Sequence, residues 1–223
     1  MGEEAMKIYA VRHGQTIFNM LDKVQGWADT PLTKKGEQDG VAAGKRLKNI
    51  PFDVALSSDT SRAIHTAEFI LAENNHKRPQ LTYTPDWREF FFGSFEGGEN
   101  TVMWGAASNA LGIDSQTPDD LARQADMTKI MDTIYAVDPD HLGENATDFW
   151  QRMRQSLANL QQNYDENATV LLVTHGQLIW NLAQQYGHLK TANRPKNGAV
   201  AVFNLDKDGS FSVDNFNDVT TIF

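Results

Sequence analysis

Cysteine is absent from this chain. That absence removes disulfides, thiolate metal sites and cysteine nucleophiles together, and it fits a cytoplasmic location. No apolar run approaches the roughly 20 residues that a membrane span requires. The start, Met1-Gly2-Glu3-Glu4-Ala5-Met6-Lys7, is acidic and lacks the apolar segment of a secretory signal. Positive charge is in deficit, with 20 lysines and arginines against 29 acidic residues and a net charge of −9. Such a chain repels polyanions at long range, which argues against nucleic-acid and anionic-membrane binding. A small anionic substrate would need a local cluster of cations to hold it. Repeats, low-complexity tracts and interdomain linkers are missing too, so residues 1–223 read as a single domain large enough to bury a full core.

What is present alternates strands with helices. Lys7-Ile8-Tyr9-Ala10-Val11 and Ala168-Thr169-Val170-Leu171-Leu172-Val173 are near-continuous apolar runs, the pattern of strands buried on both faces. Asp53-Val54-Ala55-Leu56-Ser57 is a third strand and Leu81-Thr82-Tyr83 a weaker one. Helices are expected over 34–48, with Val41, Ala42 and Leu47 as the apolar side, over 61–73, with Ser58 or Asp59 as cap, and over 177–186. Phe149, Met153, Leu157, Leu160 and Tyr164 recur at spacings of three and four, an amphipathic helix. Residues 199–205 and 211–216 flank Asp206-Lys207-Asp208-Gly209 as a hairpin. From 99 to about 144 the pattern is irregular and reads as a helical lid insertion. The expected fold is a three-layer α/β/α domain with a mainly parallel central sheet and an antiparallel edge strand.

Two of the apolar strands end alike, in Arg12-His13-Gly14 and Thr174-His175-Gly176. Ligands of open α/β sheets bind beyond the carboxyl ends of the strands, so histidines delivered there by adjacent strands face one site. The glycines admit close backbone approach, and a helix starting near Gly176 would offer N–H groups to an anion. Metal binding is the competing reading. The arginine beside His13 and the lack of a patterned carboxylate argue against a cation. Phosphoryl transfer needs forked donors for a dianion, an unprotonated nucleophile near neutrality, and an acid for the leaving oxygen. Arg12 and Arg62 supply donors, and flanking arginines would keep a histidine neutral. The residues alone do not say which histidine is the nucleophile.

The motifs resemble the histidine phosphatase superfamily, also called the phosphoglycerate mutase-like family, over nearly the whole chain. They are Val11-Arg12-His13-Gly14-Gln15-Thr16 with Asn19, then Gln25 through Thr33 with Gly36, then Ser57 through Ala63 with Thr66-Ala67. Trp87-Arg88-Glu89 with Phe92-Gly93-Ser94-Phe95-Glu96-Gly97, Gly143-Glu144 and Thr174-His175-Gly176 complete the series. The resemblance implies His13 as the phosphorylated nucleophile and Glu89 as acid and base. Arg12, Arg62, His175 and Gly176 would surround the phosphoryl group, with Asn19 and the Gln25-Gly26 backbone as further contacts. It implies no metal and no organic cofactor.

Asp59 departs from the family pattern, where proline is common, and His65 stands where glutamine is common. Asp59 is expected to cap its helix and His65 to be structural or surface. Phe90, Phe91, Phe92, Trp87 and Trp104 read as core and pocket wall, and Trp27 as pocket entrance or packing. His76, His141 and His188 carry no pattern. The expected activity is hydrolysis of a small phosphorylated metabolite with release of inorganic phosphate. Alternatives are a cofactor-dependent phosphoglycerate mutase and a non-catalytic phosphate-binding protein. Between Glu99 and Glu144 nine acidic residues face two basic ones, which disfavours a pocket for a second phosphate. The Phe-Gly-x-Phe-Glu-Gly ending also resembles the phosphatase branch more than the glycolytic mutases.

Overall fold

A computed structural model describes residues 5–115, 117–187, 189 and 193–223; the acidic first residues and His188 lie outside them. In chain order the elements are β1 (Met6–Arg12), α1 (Ile17–Met20), α2 (Lys34–Leu47), β2 (Val54–Ser58), α3 (Ser61–Ala72) and β3 (Leu81–Thr84), then α4 (Asn100–Leu111), α5 (Pro118–Gln124), α6 (Met127–Val137), α7 (Ala146–Asn163), β4 (Thr169–Thr174), α8 (Gly176–Gly187), β5 (Val200–Leu205) and β6 (Phe211–Asp218). The strands form one sheet in the order β3-β2-β4-β1-β5-β6. Pairings β3–β2, β2–β4 and β4–β1 are parallel, and β1–β5 and β5–β6 are antiparallel. The antiparallel edge is formed by β5 and β6, the hairpin expected from the sequence.

Strand residues alternate between two buried layers. Ile8, Ala10, Leu56, Val170, Leu172, Ala201 and Phe203 pack with α7, α8 and the helices of the 100–137 region. Tyr9, Val11, Ala55, Leu171, Val173, Val200 and Val202 pack with α2 and α3 on the other face. Burial on both faces is why the central strands read as unbroken apolar runs. No helix among the described residues is long and apolar enough to cross a membrane.

The buried side of α2 differs from expectation. Ala42 is exposed, and the inward residues are Gly36, Gly40, Ala43, Gly44 and Leu47. A methyl group on Gly44 would come within 2.9 Å of the Ile70 Cα, so α2 and α3 lie closer than side chains would permit. Glycines carry no hydrophobic signal, and the periodicity fell on the neighbouring residues instead.

The 99–144 segment holds α4, α5 and α6, and Met103, Trp104, Ile130, Met131 and Ile134 join the same core as the sheet. Its acidic residues mostly serve backbone. Asp126 caps α6, Asp132 accepts from the Ala146 N–H, and Asp138 accepts from Ser94, Leu142 and Gly143.

Candidate active site

The register of β1 against β4 pairs Arg12 with Thr174, and the His13 N–H donates to the Thr174 carbonyl at 2.9 Å. The next residue on each strand is a histidine, so the two rings meet with centroids 5.2 Å apart. Both are buried. The His13 Nδ1 lies 2.8 Å from the Gly14 carbonyl, which can only accept, so Nδ1 carries the proton and Nε2 the lone pair. That lone pair accepts a long, 3.3 Å bond from the Arg62 Nε. The His175 Nδ1 accepts from Arg62 at 3.1 Å, which leaves its proton on Nε2, a buried donor with no partner. Burial first, then Arg62, holds both imidazoles well below their ordinary pKa. Arg12 adds to this for each, and the rings are neutral at physiological pH.

Arg62, in the first turn of α3, is fully buried and fixed by three groups besides the histidines. It donates to the carbonyls of Gly26 and Ala28, and it pairs with Asp29 at 3.0 Å. The 26–28 loop is fixed in turn by Glu96, whose carboxylate accepts from the backbone of Gly26, Trp27, Ala28 and Phe92. Arg12 lies across Gly176, where an added methyl would sit 2.9 Å from its Nε. Its Nη1 donates to the Pro195 carbonyl, while its Nε is buried without a partner. Burial, and next Arg194, lower the Arg12 pKa to about 10.

Glu89 is buried beneath the start of α8. Its carboxylate accepts from the N–H groups of Gln177 and Leu178, both at 2.8 Å, and of Phe90 at 3.0 Å. Burial nevertheless dominates and raises its pKa, which favours a proton-carrying form. The helix terminus expected to bind an outside anion thus holds the protein's own carboxylate. Arg152 of α7 grips the Glu89 segment. It forks onto Glu144 with two 2.8 Å bonds and donates to the carbonyls of Asp86, Arg88 and Glu89. Trp27 donates its indole N–H to the same Glu89 carbonyl while stacking on Phe91.

Arg12, His13, Asn19, Gln25, Glu89 and Gly176 line one cavity of about 230 Å³, with Arg62 and His175 directly behind His13. That is smaller than the range for drug-sized ligands and suits a small metabolite. Larger grooves of about 510 and 630 Å³ lie beside Met6 and Lys207 and on the outer side of Arg12, but neither contains a histidine. Among the described residues no group of three or more His, Cys, Asp or Glu side chains could hold a metal ion.

Two expectations need correction. Gly26 does not present its backbone to the cavity, because its N–H is taken by Glu96 and its carbonyl by Arg62. Asp59 does not cap α3; it pairs with Arg88 through 2.7 and 2.6 Å bonds, and Arg88 in turn lies over the Trp27 ring. His65 is exposed. Sequence reasoning missed Arg152, Arg194 and Asn197. Asn197 donates to the His13 carbonyl and to Asn19, and Arg194 lines the cavity. The acid count of the 99–144 segment also misjudged the pocket, which that segment reaches with Asn100, Met103 and Trp104.

A neutral, oriented imidazole flanked by guanidinium groups, beside a carboxyl whose pKa is raised, is an arrangement that can support phosphoryl transfer. The chain belongs to the histidine phosphatase superfamily, branch 1, whose model matches residues 8–219. A 2,3-bisphosphoglycerate-dependent phosphoglycerate mutase of Bartonella henselae is 30% identical over 76% of this chain and 75% of its own. The crystal structure of a phosphoglycerate mutase from Bacillus anthracis superposes with a TM-score of 0.88 at 33% identity, covering 97% of this chain and 95% of that one. A mycobacterial glucosyl-3-phosphoglycerate phosphatase in complex with VO3 superposes with a TM-score of 0.71 at 26% identity, covering 96% and 99%.

Proposed function

We propose that the protein hydrolyses a small phosphomonoester through a phosphohistidine formed on the Nε2 of His13. The observation that carries this reading is the Nδ1–H bond to the Gly14 carbonyl, which leaves a neutral Nε2 lone pair at the cavity floor. Nε2 attacks phosphorus while the ester oxygen leaves. Arg12, Arg62 and the unpartnered Nε2–H of His175 are suited to the charge on the equatorial oxygens. Glu89, its pKa raised, protonates the leaving oxygen, and its carboxylate then takes a proton from the water that attacks the phosphohistidine. Phosphate release completes the cycle, with no metal required. The 99–144 segment acts as a wall over the cavity and sets its selectivity.

The test is phosphate release from a panel of sugar phosphates, nucleotides and phosphorylated acids, repeated with His13→Ala and in excess EDTA. His13→Ala is expected to abolish turnover and the acid-labile phosphoryl label, and EDTA to change nothing. Turnover surviving His13→Ala would end this mechanism. A mutase reading has support in the names of the Bartonella and Bacillus relatives. Bisphosphoglycerate-dependent isomerisation in place of phosphate release would establish it.

A further inference from the structure

A second cavity, which the proposed reaction does not use, lies between α8 and the helices α5, α6 and α7. Its volume is about 260 Å³, and Ala125, Met127, Trp150, Asn181 and Gln184 are among its walls. The charged side chains there are already committed, since Arg123 pairs with Asp120 and Asp126 caps α6. What the walls offer is apolar surface and carboxamides. Gln177, Asn181 and Gln184 recur at spacings of four and three along one face of α8, a polar stripe on a helix whose first two turns are buried throughout.

Two thioethers fix the orientation of the first two amides. The Gln177 Nε2 lies 3.3 Å from the Met127 sulfur, and the Asn181 Nδ2 lies 3.5 Å from the Met131 sulfur. A thioether only accepts, so in each case the nitrogen faces it. The Gln177 Nε2 also donates to the Asn181 Oδ1 at 2.8 Å, in keeping with that orientation. Asn181 therefore has its oxygen satisfied and its nitrogen held by a weak acceptor alone. One turn on, the Gln184 Nε2 is buried with no partner among the described residues. Buried amide donors without a full-strength acceptor are destabilising, so the stripe is suited to an acceptor from outside the protein. Gln177 lines the catalytic cavity, while its partners Met127 and Asn181 line the second one, so these three side chains form a common wall. The Gln177 backbone N–H is also one of the three that hold the Glu89 carboxylate.

We propose that this second cavity binds a small, uncharged, planar compound bearing a carbonyl or carboxamide, and that its occupancy alters the rate at the catalytic site. The carbonyl accepts from Gln184 and Asn181, and the ring lies against Trp150 and Met127. Through Asn181 and Gln177 the occupant bears on the turn of α8 that holds Glu89. The effect on rate rests on the phosphotransfer reading above, whereas the binding does not.

The test uses benzamide on the isotope-labelled, full-length protein, with toluene and benzoate as controls that lack the carbonyl or carry a charge. Benzamide is expected to move the side-chain amide signals of Asn181 and Gln184 and the indole signal of Trp150. Its Kd should be about 1 mM, because so small a ligand has a low affinity ceiling. The shifts should persist when orthovanadate saturates the catalytic cavity. Gln184→Leu, similar in size at a half-buried position and so compatible with the fold, should weaken benzamide about fivefold, as the loss of one hydrogen bond does. Saturating benzamide should change kcat by about twofold or more without competing with the ester, and that effect should shrink in Gln184→Leu. Displacement of benzamide by orthovanadate, equal binding to Gln184→Leu, or no shift at the solubility limit of benzamide overturns the site. Toluene or benzoate binding as tightly as benzamide overturns the assigned ligand class. Shifts with an unaltered kcat overturn the coupling. If no ester is turned over, the phosphotransfer reading fails, while the shift titration still decides the site.

Discussion

Arg152 makes no contact with the cavity, yet its removal should damage both stability and rate. Arg152→Met keeps most of the side chain's length while deleting five donated bonds. Two of these go to Glu144, whose side chain is 11% exposed, and three go to backbone carbonyls of the segment that carries Glu89. Breaking one half of a buried pair generally costs about 3–5 kcal/mol, because the remaining charge is left in a poor environment. Glu144 retains the Phe91 N–H and some solvent, so the lower end, about 3 kcal/mol, is expected. For a chain of this size that corresponds to a melting temperature lowered by roughly 6–12 °C. The double variant Arg152→Met/Glu144→Gln should lose less than the two single changes together, by about 1 kcal/mol or more, since the stranded carboxylate is gone. Trp27 still holds the Glu89 carbonyl, so Glu89, the proposed general acid, is loosened rather than released. A fall in kcat of about tenfold with little change in KM is expected. Urea unfolding and steady-state kinetics on the three variants measure both effects. If Arg152→Met unfolds within about 1 kcal/mol of the wild-type protein and keeps its kcat, the clamp has no energetic role and the reasoning fails.

Glu89→Gln should slow turnover about 100-fold or more and flatten the alkaline limb of the pH–rate profile, since the wild-type carboxyl loses its proton as pH rises through its raised value. An alkaline limb identical in the two proteins would assign that limb to another group. Fold stability should fall on acidification below 6.5. There the unfolded chain protonates both His13 and His175 while the folded chain does not, at about 1.4 kcal/mol per pH unit for each. Glu89 acts in the opposite sense, because above 4.5 the folded chain holds a proton the unfolded chain has begun to release. Urea unfolding from about pH 7.5 to about 5.5 reads the net slope, and a flat profile would mean that the imidazoles are not held neutral. Gly176→Ala should reduce activity far more than stability, because the new methyl meets the Arg12 side chain. Gly14→Ala should do the reverse and lose stability outright, since its methyl would sit 2.1 Å from the Gly36 carbonyl oxygen. Equal thermal shifts for the two would contradict this contrast.

The sheet and the pair of histidines were legible because their signal is local. Ile8 through Val11 and Val170 through Val173 are apolar on both faces of the sheet, and each run terminates in a histidine followed by glycine. The parallel pairing of those two strands then decides that the rings meet. The rest of the site depends on contacts distant in sequence. Arg152 reaches the carbonyls of residues 86–89 across a separation of more than 60 positions, and Asn197 reaches His13 across 184. Neither lies in a periodic pattern that would mark it. Asp59 was misplaced for the same reason, since its partner Arg88 is 29 residues away, whereas capping is a local device. Gly26 was misjudged because a free N–H and one already taken by Glu96 look the same in a sequence.

The chain's acidity and its proposed anion-binding site also need not conflict. Much of the negative charge near the cavity is committed to backbone N–H groups. Glu96 satisfies four of them, Glu89 three and Asp138 four, while Asp119 holds the amide of Arg194. Carboxylates used in this way fix loops, and short-range bonds absorb much of their charge. The guanidinium groups of Arg12 and Arg194 meet no carboxylate within ion-pairing distance among the described residues. Local potential at the cavity is therefore set by which charges are left unneutralised, and net charge governs only the long-range approach of a substrate. On this argument, adding salt should speed capture of a dianionic ester by screening the repulsive outer field, while leaving kcat nearly unchanged. A KM that rises steeply with ionic strength would instead place the dominant interaction with the exposed surface and contradict it.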